Sequence, residues 1–182
     1  MRRTVPLLFL FNALLAVPTA LVAQHTGADK IASALNSAPA SVSAQATVMD
    51  WDQTVLREGT NGWTCLPDMP DTPGDDPMCL DAPWMNWADA WMNKKEPSYS
   101  QMGFGYMLTG DSPASNTDPY AAGPTPDNEW LPEGVPHLMI LVPDTKALEG
   151  LPTDPKQGGP WVMWRGTPYV HIMVPMPKHE SH

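Results

Sequence analysis

The sequence predicts a single α+β domain: an antiparallel or mixed sheet of about five to six strands, helices packed on one face, and long proline-rich loops. Three observations lead there. Short apolar runs with period two recur along the chain, one segment has a clear period of 3.6, and turn-forming residues separate them, with 22 prolines in 182 residues. A chain of this size fits one domain with a real core.

The first element is a leader. Arg2 and Arg3 precede an apolar run from Val5 to Val17, and Pro18 and small residues lead to Leu21-Val22-Ala23. That is the layout of a secretory signal over residues 1–23, too short and too interrupted by Pro6 and Asn12 to span a bilayer. The expected location is periplasmic or secreted, with no membrane association after signal cleavage. The formal charge is −10 at pH 7, and losing Arg2 and Arg3 makes it more negative. Such an acidic chain repels nucleic acid, whose binding depends on Lys and Arg neutralising phosphate. A small molecule or a metal ion is the expected partner; the oligomeric state is not encoded in any pattern visible here.

Residues 24–45 are rich in Ala and Ser, and Ile31 and Leu35 at i, i+4 predict a short helix from about Asp29 that docks loosely or frays. The globular part then runs over residues 46–177. Thr47-Val48-Met49 and Thr54-Val55-Leu56 predict a hairpin, followed by a turn at Gly59 to Gly62 and by Trp63-Thr64-Cys65. Cys65 and Cys79 are the only cysteines. In an oxidising compartment they read as a disulfide closing a loop that holds Pro67, Pro70, Pro73, Gly74 and Pro77.

The clearest helix runs from about Pro83 to Lys95. Asp81 stands beside its cap, Pro83 lies in its first turn, and Pro97 forbids continuation. Trp84, Trp87, Ala88 and Trp91 form one stripe, which reads first as core and second as an exposed platform for a flat ligand. Gln101 to Leu108 alternates as a strand with Met102, Phe104, Tyr106 and Leu108 on one side. Gly103 and Gly105 on the other side leave room for a packed helix, a bulge or a ligand. The segment from Gly110 to Pro136 is dominated by Pro, Asn, Asp and Gly and is too long for a simple connector. Strands follow at about Pro136 to Val142, Trp161 to Arg165 and Tyr169 to Val174, with a short helix near Thr145 to Glu149 and a turn at Gly166-Thr167. Residues 178–182 form a polar tail expected to be disordered.

His137-Leu138-Met139 and His171-Ile172-Met173 are near-copies of one segment. Strand alternation gives each an aliphatic face, Leu138, Ile140 and Val142 in one and Val170, Ile172 and Val174 in the other, which is expected to meet the core. The opposite faces carry His137 and Met139, and His171 and Met173. If the strands are neighbours in similar register, these four side chains converge, and nitrogen with thioether sulfur suits Cu(I). Copper is thus the candidate cofactor. Met163 and Met176 are further sulfur donors, and a plain structural packing of the same residues stays open beside the metal reading.

Trp161 and Arg165, taken to share a strand face, join Gly103 and Gly105 as a candidate ligand pocket, with Arg165 able to clamp a carboxylate, stack on Trp or form an ion pair. The acidic run Asp68, Asp71, Asp75, Asp76 and Asp81 lacks EF-hand spacing and reads as a solvated loop. The expected function is a non-enzymatic small-ligand or metal-binding domain. The alternative is a secreted enzyme using His137 or His171 as general base with Asp111, Asp118 or Asp127 of the 110–130 loop within reach.

The strings Glu58-Gly59-Thr60-Asn61-Gly62-Trp63-Thr64-Cys65, Ser115-Asn116-Thr117-Asp118-Pro119 and Val162-Met163-Trp164-Arg165-Gly166-Thr167-Pro168-Tyr169 resemble segments of a family of uncharacterised exported bacterial proteins. The resemblance spans roughly residues 46–177. It implies secretion and carries no activity and no catalytic residue.

Overall fold

The computed structural model describes residues 26–132 and 134–177. The predicted leader at 1–23 and tail at 178–182 lie outside them. The described chain is one α+β domain built on a mixed, mostly antiparallel sheet of eight strands, not five or six. In chain order the sheet strands are β1 (Thr47–Met49), β2 (Val55–Arg57), β3 (Thr64–Leu66), β4 (Met78–Leu80), β5 (Gly103–Met107), β8 (His137–Leu141), β9 (Trp161–Met163) and β10 (His171–Pro175). Their spatial order is β2-β1-β3-β4-β5-β8-β10-β9, with β1 and β3 the parallel pair. The uncounted strands span three residues each, too few to display a period of two. β6 (Ala114–Ser115) and β7 (Trp130–Leu131) pair separately within the long 110–136 segment.

β3 and β4 flank the acidic loop, and their antiparallel register sets Cys65 opposite Cys79, which form the disulfide. Bridging directly opposed residues closes the loop at its base and holds both strands in register.

Helices cover both faces of the sheet rather than one. α1 (Gly27–Asn36) and α2 (Ala40–Ser43) lie over one face of β1 to β4. The Ala/Ser-rich segment, expected to dock loosely, is firmly seated: Ala34 and Ser37 are fully buried, and Ser37 accepts a hydrogen bond from the Leu108 amide. Small side chains explain both the weak sequence signal and the close approach. Ala34 packs with Ala46, Val48 and the disulfide, where a bulkier stripe would hold the helix away.

α3 (Ala82–Met92) lies on the opposite face. Asp81 caps it by accepting from the Trp84 amide, and its second oxygen accepts from the Phe104 amide at 2.7 Å, so one carboxylate both starts the helix and ties it to β5. Beyond the helix Lys94 turns left-handed, with φ 54°, and the Lys95 amide donates back to the Ala90 carbonyl.

The faces of β8 and β10 are the reverse of the expected ones. His137, Met139, Leu141, His171 and Met173 are buried, whereas Leu138, Ile140, Val142, Ile172 and Val174 are only half-buried. α3 decides this by covering the His/Met side. On the other side, α1 and α2 cover the β1 to β4 end. The 3₁₀ turn Thr145–Leu148 packs Leu148 against Val162 and Val170 at the β9 end. Between them Leu138, Ile140 and Phe104 stay partly open. Strand periodicity reports that two faces differ, but not which one a distant helix will cover.

The 110–136 segment seals the edge of the sheet. Asn116 accepts from the Trp161 indole at 3.0 Å through its side chain and from the Trp164 amide through its carbonyl, while its own side-chain amide donates to Glu129 and to the Thr153 carbonyl. The Val162 amide donates to the Pro152 carbonyl, so β9 does not present a free row of backbone groups.

The assigned faces make a direct stability prediction. Met139→Ala should cost about 3 kcal/mol and Ile140→Ala about half of that, because only the former empties a filled site. Urea denaturation of the two variants measures this, and a larger loss at Ile140 would contradict the orientation.

Candidate functional site

The inner face of the sheet is a grid of side chains whose rows follow from the pairing registers. One row is Met107, His137 and Pro175 on β5, β8 and β10. The next is Leu80, Gly105, Met139, Met173 and Trp161, and the third is Gly103, Leu141, His171 and Met163. Met139 therefore faces Met173 directly, while His137 and His171 sit at opposite ends of that pair. Four residues of strand separate the two histidine rows, about 13 Å along the strands. The four-residue patch is thus divided into two neighbourhoods.

Each histidine gains a second methionine from an adjacent strand. His137 has Met139 two residues on and Met107 directly across; His171 has Met173 two residues on and Met163 directly across. Met107 escaped the sequence reading because it lies at the end of a strand noticed for its glycines. Met176, a candidate donor, is instead exposed beyond the end of β10.

The two rings are held alike. Nδ1 of His137 lies 2.7 Å from the Val135 carbonyl oxygen, and Nδ1 of His171 lies 2.9 Å from that of Tyr169. A carbonyl only accepts, so each ring donates its Nδ1–H to the backbone two residues earlier and carries its lone pair on Nε2. The near-copies in sequence are near-copies in local geometry. The ring of His171 is edge-on to the indoles of Trp84, Trp87 and Trp164, with centroids 5.1 to 5.5 Å away. His137 is 1% exposed, and its Nε2 has no hydrogen-bond partner. The indole N–H groups of Trp84 and Trp87 are likewise buried without partners.

Burial pushes both imidazoles down to about 4, against a partial offset from the backbone hydrogen bonds, and repulsion from a protonated His137 would further oppose protonation of His171. Both rings are neutral at physiological pH.

The space beside Gly103 belongs to α3, and that beside Gly105 to side chains of the neighbouring strands. A Cβ on Gly103 would lie 3.0 Å from Pro83 Cβ and 3.1 Å from Trp84 Cδ1, and one on Gly105 would lie 2.8 Å from Leu80 Cδ2 and 3.0 Å from Met139 Cε. Gly103 makes room for Pro83 and Trp84 of α3, and Gly105 for Leu80 and Met139. Trp161 is buried and bonded to Asn116. Arg165 falls beyond the end of β9 rather than on it, after Trp164 turns left-handed with φ 54°, and donates to the Leu148 and Leu151 carbonyls. These four residues do not enclose a common pocket. Nor does the tryptophan stripe offer an open platform. Trp87 and Trp91 both stack on Trp164, Trp91 stacks on Tyr120, and the Lys94 ammonium lies over the Tyr120 ring.

The acidic loop is partly an internal latch. Asp76 is buried and accepts from the Met69 amide and from Ser112 Oγ at 2.6 Å, and its amide donates to Asp68. Asp111 is pushed up to about 7 by burial, with the Asp76 carboxylate adding to the rise. Among the described residues no group of three or more His, Cys, Asp or Glu side chains is arranged to hold a metal ion. Among the described residues none of Asp111, Asp118 and Asp127 is hydrogen-bonded to a histidine ring: Asp111 accepts from the Ser112 amide and Asp118 from the Tyr120 amide.

No protein-family model, curated protein or solved structure matches this chain. No helix among the described residues is long and apolar enough to cross a membrane.

The shifted groups predict the pH dependence of stability. Below about 6.5 the unfolded chain protonates its histidines while the folded imidazoles stay neutral to about 4. Stability is therefore complete above that range and falls as pH drops through it, by about 3 kcal/mol per histidine. Asp111 acts in the opposite sense: its contribution is full at low pH and is lost as pH rises from the ordinary carboxylate range to about 7. Urea midpoints between pH 4 and 8 should thus fall on the acid side. His171→Gln should flatten that limb, and Asp111→Asn should steepen it while flattening the rise-and-loss near neutrality.

Proposed function

We propose that this chain is an exported, non-enzymatic binding domain that holds a metal ion or small ligand within the His/Met layer beneath α3. The observation that carries this reading is the unpartnered Nε2 of His137, sealed in the core with its lone pair fixed by the Val135 hydrogen bond. An unmade hydrogen bond at a buried acceptor costs about 1–3 kcal/mol, and burial of such an atom is explained by a partner such as an ion, a ligand or water. Soft donors rather than charged ones surround it, since Met107, Met139 and Met173 share its face.

Export is supported by the leader pattern and by the Cys65–Cys79 disulfide, which belongs to an oxidising compartment. The general-base alternative is less well supported. A base must touch its substrate, whereas both rings are buried, both spend Nδ1 on backbone carbonyls, and both have their basicity lowered by burial.

Native mass spectrometry with elemental analysis tests the proposal on protein recovered from the exported fraction. The wild-type chain should carry a non-covalent mass that is absent from His137→Gln, with circular dichroism confirming that the variant folds. A wild-type mass equal to that of the disulfide-bonded polypeptide alone would overturn it.

A further inference from the structure

We infer that the occupant is a monovalent soft cation, Cu(I), held by Nε2 of His137 and the thioethers of Met107 and Met139, with Met173 as the diagonal neighbour. The inference rests on the binding-domain reading and adds the identity of the ion and of a ligand outside both His-x-Met segments, Met107.

Position comes first. Met107 is the direct cross-strand partner of His137 in the β5–β8 register, where Cβ atoms lie about 4.5–5.5 Å apart. Met139 is on the same face of β8 two residues further on, and Met173 faces Met139 from β10, which makes it the diagonal neighbour of His137 at about 7–8 Å. Long, flexible methionine side chains bridge such separations readily. His137, Met107, Met139 and Met173 are all under 10% exposed, so their donor atoms share one interior layer. The imidazole is also oriented as a metal ligand needs it: Nδ1–H is tied to a backbone carbonyl, which leaves Nε2 as the donor.

Charge then selects the ion. Every donor in this set is neutral, and the nearest partners of the ring supply no carboxylate or thiolate. The cost of placing an ion in a medium of low dielectric rises with the square of its charge, so a neutral cage that tolerates one positive charge is far poorer for two. Zn²⁺ and Cu²⁺ are disfavoured on that ground, and Ca²⁺ and Mg²⁺ also lack the oxygen ligands they require. Thioether and imidazole donors match Cu(I) by softness.

The test is anaerobic titration of the intact folded chain with Cu(I) against a competing Cu(I) chelator, followed by X-ray absorption at the copper edge. One equivalent should bind with a mixed nitrogen and sulfur shell, and Zn²⁺ should not compete. Met107→Leu and Met139→Leu preserve volume and should each weaken binding by about tenfold or more, at least what loss of an outer-shell partner costs. Met163→Leu, beside His171, should leave it unchanged. A shell of nitrogen and oxygen without sulfur overturns the inference. Equal Zn²⁺ binding, or Cu(I) binding indifferent to Met107→Leu, overturns it as well. A wild-type chain that takes up no Cu(I) yet carries an organic mass lost in His137→Gln would defeat the copper assignment and leave the binding-domain reading standing. Absence of both would defeat the two together.

Discussion

The packing of the α3 indoles onto a sheet face cleared by two glycines is the interaction on which the rest of this domain depends. Trp84 approaches β5 closely because position 103 has no side chain, while the space at position 105 is filled by Leu80 and Met139 beside it. With the helix that close, its indoles reach across to the histidine of β10 and to Trp164 beyond β9. Burial of several aromatic rings in one layer supplies a large apolar area to a domain whose described strands are at most five residues long. It also determines which side of β8 and β10 becomes interior.

Fixing the interior on the His/Met side has a chemical consequence. An all-aliphatic interior would have left nothing polar to satisfy, and the chain has such a face available in Leu138, Ile140, Ile172 and Val174. Instead two imidazoles are taken out of water. Each retains one backbone hydrogen bond, and the opposite nitrogen of His137 is left to the sulfur-lined core. Holding these rings neutral costs stability in acid, whereas Asp111 acts in the other direction near neutrality. The second face and the edges are handled separately, by small residues of α1, by the 3₁₀ turn after β8, and by Asn116 at the rim of β9.

Legibility from sequence varied with how local each determinant is. The α3 boundaries follow from Asp81, Pro83 and Pro97, all within the helix or beside it, and β5, β8 and β10 were visible from their alternation. β3 and β4 were not visible as a pair, because three residues cannot establish a period and their pairing depends on the chain returning across the acidic loop. The seating of α1 was hidden in its alanines and serines, which look weakly amphipathic and become valuable only against a close neighbour. At the candidate site, His137, Met139, His171 and Met173 could be named, but Met107 could not, because only the β5–β8 register sets it opposite His137. Arg165 was misplaced because nothing in Trp161-Val162-Met163-Trp164-Arg165 marks the left-handed turn at Trp164 that ends the strand.

By itself the sequence determined the class of the domain, the position of its one strong helix, the pairing of its two cysteines, and the fact that β8 and β10 each have two chemically different faces. These are properties of residues near one another along the chain, where backbone preferences and side-chain periodicity act directly. Tertiary structure decided which face is inside, how the His/Met residues group, and which groups are left without partners in the core. Those outcomes depend on the register between strands and on a helix arriving from elsewhere, and free energy distributed over such distant contacts leaves no mark in any single short segment.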